Sequence, residues 1–166
     1  MKKPFKTRLR NTTAAGAIAL TAAGALAVNH NGLMEGLRLV AYQDIVGVWT
    51  ACRGETKGIR RGMVFTKEQC DVMFIGSLTE HEQGMRDCLT DPDSLPDKVY
   101  VAFLSGAYNY GVGAFCKSSI ARYANAGNLR AACDAIMLYV YAGGKKVRGL
   151  VIRREKEHKM CVEGLT

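Results

Sequence analysis

"EGLRLVAYQDIVGVWTACRGET", residues 35–56, is the stretch on which the fold turns. Just before and within it, Leu33, Leu37 and Val40 recur at helical spacing, which predicts a short helix over 31–38. Val, Tyr, Ile and Trp then crowd together, broken by Gly47, Gly54, Gly58 and Gly62. That pattern predicts short strands joined by tight turns. The change of period leaves Glu35 at the helix, Asp44 in the first strand or its turn, and Thr50 in the β-piece.

Downstream the pattern is helical. Thr66 with Gln69 three residues on is a capping box, opening a helix that reaches Met85 or Asp87. "TDPDSLPD" is a turn cluster, and Pro96 suits the first turn of a helix ending near Tyr110. Further helices are expected over Ser118–Ala126, Asn128–Tyr141 and Val151–Cys161, with "AGGKKVRGL" as a loop. The expected fold class is α+β, a small antiparallel β-piece followed by a helical bulk, with a cleft between them.

At 166 residues the chain suits one catalytic domain with a real core. Its net charge of +8 is concentrated at the ends. Residues 1–10 hold five Lys/Arg and no acid, and Lys145–Cys161 holds seven against Glu155 and Glu157. The intervening Glu35–Gly144 is nearly balanced, with eleven basic and twelve acidic residues. Such basicity suits a polyanion: nucleic acid, anionic lipid or cell-wall glycan. A nucleic-acid module is disfavoured because the basic stretch Lys145–Lys159 lacks interleaved aromatics. Attraction to peptidoglycan is the more economical account, and a solvated basic helix face is the plain alternative.

The basic block at the N-terminus runs into an apolar segment, Ala14–Val28, the layout of an export signal. Its 15 residues include eight Ala, two Gly and Thr21, so it is short and weakly apolar for a permanent span. A cleaved signal (with "ALA" at 25–27 as an A-x-A site) and a poorly held signal-anchor compete. Either route takes the chain out of the cytoplasm. The expected division is an anchor segment over 1–29 and a catalytic domain over 30–166.

Glu35 and Asp44 offer two carboxyls in different settings, as glycoside hydrolysis needs. A helix-end Glu beside Leu39, Val40 and Tyr42 can have its pKa raised by desolvation and stay an acid. An Asp on a wetter turn stays charged, and the Thr50 hydroxyl can hold a water beside it. No cofactor is implied, since acid–base cleavage of an acetal needs only carboxyls and water. No metal is implied either, because none of the six cysteines falls in a CxxC pair.

The spacing Glu35, eight residues, Asp44, five residues, Thr50 resembles the catalytic pattern of the phage-type lysozymes, the endolysins of glycoside hydrolase family 24. "FTKEQC", "FLSGAYNYGVGAFCKSSIAR" and "YAGGKKVRGLVIRREKE" are similar to that family's later blocks. The weakly apolar Ala14–Val28 resembles the signal-arrest-release branch. The resemblance implies a lysozyme-like fold and a muramidase cutting the β-1,4 bond between N-acetylmuramic acid and N-acetylglucosamine. Glu35 would be the general acid, Asp44 the carboxylate that activates water, and Thr50 its helper, with inversion at the anomeric carbon. It also implies a protein tethered to the host inner membrane through residues 14–28, facing the periplasm, then released there as an active monomer. The disulfides expected from relatives and from the order of elements are Cys52–Cys70, Cys88–Cys116 and Cys133–Cys161, among 15 possible connectivities. A lytic transglycosylase and a non-catalytic peptidoglycan-binding protein are the alternatives.

The chain departs from that family at two positions. Glu55 stands where the family usually has His, and Tyr139 where it has Trp. Glu55 could raise the pKa of Glu35 by like-charge repulsion; pairing with Arg53, Arg60 or Arg61 is the favoured alternative. No cysteine precedes Cys52, so no thiol in the anchor can exchange with a disulfide.

Overall fold

The computed structural model describes residues 20–34, 36–44 and 47–166, without the side chains of Asn29 and residues 31–34. The order is helix α1 (Ala22–Met34), strands β1 (Arg38–Gln43) and β2 (Trp49–Cys52), then helix α2 (Lys67–Asp87). Helices α3 (Asp97–Tyr110), α4 (Val112–Cys116), α5 (Ser119–Asn125) and α6 (Leu129–Ala135) follow. A second hairpin, β3 (Tyr141–Ala142) and β4 (Lys145–Lys146), leads into α7 (Arg148–Glu163).

The helical body is built around α3. Its residues Val99–Ala107 are all buried, and α1, α2, α4 and α7 lie against it. A helix apolar on every side has to be central, and "VYVAFLSGA" is such a sequence. Phe103, Leu104, Phe115, Ile120, Leu78 and Met85 fill the core around it.

The hairpin lobe has a separate, smaller core of Ala51, Cys52, Ile59 and Cys70, backed by Trp49, Phe65 and Met73. β1 and β2 pair antiparallel with Tyr42 opposite Thr50, and a register irregularity between Arg38 and Tyr42 bends the ribbon. Cys52 has a left-handed backbone, φ +58°, which a non-glycine residue adopts at a cost of about 1–3 kcal/mol. It is held there by the paired Ala51–Glu55 backbone hydrogen bonds, both 2.9 Å, and by its disulfide to Cys70.

All three expected disulfides are present: Cys52–Cys70, Cys88–Cys116 and Cys133–Cys161. The first ties the hairpin lobe to α2, where the apolar core is thinnest. Replacing Cys52 and Cys70 together by Ser should cost ~2–4 kcal/mol. Because the loss is local, hydrogen exchange should accelerate over 49–65 well before it does over α3, and uniform acceleration would contradict a local role.

The capping box at Thr66 and Gln69 forms as expected, and Ser118 and Asn128 cap the helices that follow them. Three boundaries differ. The first helix lies earlier, ending at Met34, and Arg38 is already in a strand. The helix expected over Asn128–Tyr141 stops at Ala135 and tightens into a single 3₁₀ turn. The expected loop "AGGKKVRGL" contains a hairpin whose two central residues, Gly143 and Gly144, have φ of +56° and +74°. That conformation needs glycine and matches the strand twist.

The boundary expected at residues 29/30 falls inside α1. Ala23 and Ala27, one helical turn apart, are buried against the body, while Ala22, Ala25 and Leu26 are exposed. The segment Leu20–Val28 therefore belongs to the folded body, and residues 14–19 lie outside the described residues. Among the described residues no helix is long and apolar enough to cross a membrane.

Candidate active site

The tight turn after β1 joins Asp44 to Thr50 through one residue, Val48. Its carbonyl accepts from the Asp44 N–H at 2.9 Å and from the Thr50 Oγ1–H at 3.0 Å. Its N–H donates to Asp44 Oδ1 at 2.9 Å. Gln43 Nε2 donates to the Gly47 carbonyl at 3.0 Å and braces the same turn. Oδ1 of the half-buried Asp44 carboxyl is thus fixed by the turn, and the buried Thr50 hydroxyl spends its proton on Val48. The lone pairs of that hydroxyl can accept from a water. Glu35 lies outside the described residues; it is the residue immediately after α1 and two before Leu37, where the chain enters β1. Two of the three expected site residues are brought together, and the third follows the helix that leads into their hairpin.

A cavity of about 570 Å³ lies where the hairpin lobe meets the body, and neither Asp44 nor Thr50 is among its lining residues. Arg53–Lys57 form one wall, Gly76, Ser77, Glu80 and His81 of α2 another, and Tyr108 and Asn109 of α3 the back. The Tyr108 hydroxyl donates to Glu55 Oε1 at 3.1 Å and lies 3.2 Å from the Arg53 carbonyl. It links the two lobes across the cleft. Its ring is held edge-on by Phe74 at 5.5 Å and by the His81 ring at 5.1 Å.

Glu55 is buried, and its carboxyl faces Tyr108 and Ser77 more strongly than any arginine. Burial pushes its pKa above the ordinary carboxylate value, opposed by hydrogen bonds from Tyr108 and Ser77 and by His81. Arg53 pairs with Asp71 at 3.5 Å and lies over the Phe74 ring. The expected pairing with an arginine is thus replaced by a link between lobes. A carboxyl with a raised folded pKa binds protons that the unfolded chain has lost, so its contribution falls as pH rises above 4.5, the reference value, toward the raised one. The melting-temperature gain of Glu55→Gln over the native chain should therefore widen across that window and then level. A constant difference from pH 4 to 8 would contradict this.

The basic C-terminal helix is a solvated face only in part: Arg148, Lys156 and Lys159 are exposed. Arg153, Arg154 and Glu157 are buried. Glu157 Oε1 accepts from Arg153 Nε at 3.0 Å, from Arg154 Nη2 at 2.9 Å and from the Ser105 hydroxyl at 2.5 Å. Arg154 Nη2 also donates to Asn109 Oδ1 at 3.1 Å, which carries the network to the back of the cleft. His30, near the C-terminal end of α1, feels the same charges; burial holds its pKa low, with Glu157 opposing. Sequence reasoning missed this cluster and Tyr108. Glu157 four residues after Arg153 was a visible cue, but the same spacing occurs on exposed helices. Tyr139 stacks on Tyr110 at 4.4 Å.

A hairpin lobe with a carboxylate turn, set across a cleft from a body centred on one buried helix, defines a lysozyme-like glycoside hydrolase. Residues 32–157 match the phage lysozyme family model. The chain is 35% identical over 150 residues to the SAR-endolysin of Enterobacteria phage P21, covering 90% of each. It is 34% identical over 161 residues to the SAR-endolysin of Bacteriophage PS119, covering 94% of this chain and 95% of the relative. Among solved structures, the active form of the P1 phage endolysin Lyz superposes with a TM-score of 0.76 at 28% identity, covering 92% of this chain and 89% of that one. The chain belongs to the phage lysozyme family.

Proposed function

We propose that this lysozyme hydrolyses the β-1,4 bond between N-acetylmuramic acid and N-acetylglucosamine in peptidoglycan, with Glu35, Asp44 and Thr50 as its catalytic residues. The supporting observation is the Val48 bridge, which fixes Asp44 and Thr50 as one unit in the hairpin lobe. Glu35 protonates the leaving oxygen. Asp44, held through Oδ1, takes the proton of a water on the opposite face of the sugar and faces the developing oxocarbenium ion. Thr50 Oγ1 accepts from that water and orients it. Water, not Asp44, attacks the anomeric carbon, as the family resemblance implies, so the reaction inverts the anomeric centre.

The SAR-endolysin relatives support a membrane-held precursor. Residues 14–28 tether the chain in the host inner membrane, with residues 30–166 on the periplasmic side. Release of the weak anchor frees residues 22–34 to form α1, and the released monomer cuts the wall. Proton NMR of the first turnovers on a chitotetraose or muropeptide chain tests the mechanism. The α-anomer should appear first and mutarotate. Initial β-anomer would exclude an inverting role for Asp44.

A further inference from the structure

Glu82 is a carboxyl inside the helical body, 2% exposed, on the face of α2 that meets α1. Burial of such a group is costly unless donors surround it. Its Oε2 accepts from the Thr21 N–H at 3.0 Å, and its Oε1 accepts from the Thr21 hydroxyl at 2.5 Å and from the Tyr100 hydroxyl at 2.7 Å. Two of these three donors come from the N-terminal end of α1. Thr21 is also the cap of that helix, its Oγ1 accepting from the Gly24 N–H at 3.0 Å.

Gly24 completes the fit. A Cβ added there would stand 2.7 Å from Glu82 Cδ, 2.8 Å from Oε2 and closer still to Oε1. The carboxyl therefore lies close against the backbone of α1, and a Cβ at position 24 would require the Glu82 side chain to move. Besides Gly24, the buried residues of this end of the helix are Ala23 and Ala27, while Ala22, Ala25 and Leu26 are exposed. Apart from Leu20 and Val28, which pack partly buried at either end of this stretch, its small buried side chains do little to set how far the helix slides along its neighbours. The Thr21–Glu82 contact supplies that register. α1 has 13 residues, ~20 Å of rigid rod at 1.5 Å per residue, and ends one residue before Glu35.

We propose that Glu82 is a positioning residue: its carboxyl receives Thr21 and Gly24 of the N-terminal segment and so fixes the register of the helix that immediately precedes Glu35. The inference rests on the catalytic role of Glu35 proposed above. It gives Thr21 and Gly24 two uses. In a membrane they weaken the anchor; in the released enzyme they are the features that dock it.

The test uses full-length released protein and a double-substitution cycle. Gly24→Ala should lower kcat ~10-fold, with KM little changed, because it displaces the carboxyl and the helix register; a shift of about 1 Å can cost more than this. In the Glu82→Ala background the same substitution should change kcat by less than about twofold, since the clash is gone. Thr21→Val should lower kcat similarly and speed hydrogen exchange over 22–34, and Thr21→Ser should restore both. An equal effect of Gly24→Ala in both backgrounds, or Thr21→Ser no better than Thr21→Val, would overturn the proposal. Glu35→Gln assayed in parallel separates the two ideas. If it cuts like the native enzyme, the catalytic assignment fails, while the exchange data still decide whether Glu82 docks α1.

Discussion

Glu35→Gln should lower kcat ~10³-fold or more with KM almost unchanged. Gln has the shape of Glu and loses only the proton that the leaving oxygen needs. Asp44→Asn should fall nearly as far, for a different reason. The amide can still accept from the Val48 N–H, so the turn survives, but it cannot take a proton from water or face positive charge. Thr50→Val is expected to be the mildest of the three. It removes the donor to the Val48 carbonyl and the acceptor for water, while the Asp44 N–H still holds that carbonyl. Turnover of a soluble muropeptide, with circular dichroism to verify folding, measures all three. Native-like turnover of Glu35→Gln would remove Glu35 from the chemistry.

The second large effect concerns release. Ala22 and Ala25 lie inside the proposed anchor, yet both are exposed on α1 of the folded enzyme. Changing both to Leu adds about six carbon groups, or ~4–5 kcal/mol of favourable transfer to hydrocarbon at ~0.8 per group. That strengthens the anchor about a thousandfold or more and costs the folded enzyme little. The double variant should stay in the membrane fraction and delay or abolish lysis, while the purified protein cuts at the native rate. Gly24→Leu would be ambiguous, because a side chain there also collides with Glu82. Gly16→Leu avoids that contact, although residue 16 lies outside the described residues. Lysis at the normal time, with the double variant soluble, would contradict retention by a weak anchor.

The elements that sequence made legible are those set by local chemistry. The Thr66 capping box and the strand pairing around Asp44 follow from short-range rules. The disulfide partners came from resemblance, which narrowed 15 connectivities to the one present. What sequence did not reveal depends on tertiary contact. α1 was expected to begin at residue 31 because alanines carry little periodic signal, yet alanines at 23 and 27 let it sit close to the body. Arg153 and Arg154 looked like solvent-facing charge, and only the fold brings Ser105 and Asn109 to them. Glu55 looked ready to pair with nearby arginines, but Tyr108, 53 residues on, reaches it first. Glu82 sat among the ordinary polar residues of a long helix. Nothing within its own helix marks it as the partner of Thr21.

The most direct test is mass spectrometry of the products from purified full-length protein and bacterial peptidoglycan. Fragments ending in reducing N-acetylmuramic acid, absent with Glu35→Gln, are the expected result. Fragments ending in 1,6-anhydro-N-acetylmuramic acid would contradict hydrolysis and reassign the chain as a transglycosylase; intact glycan strands would contradict glycosidase action altogether.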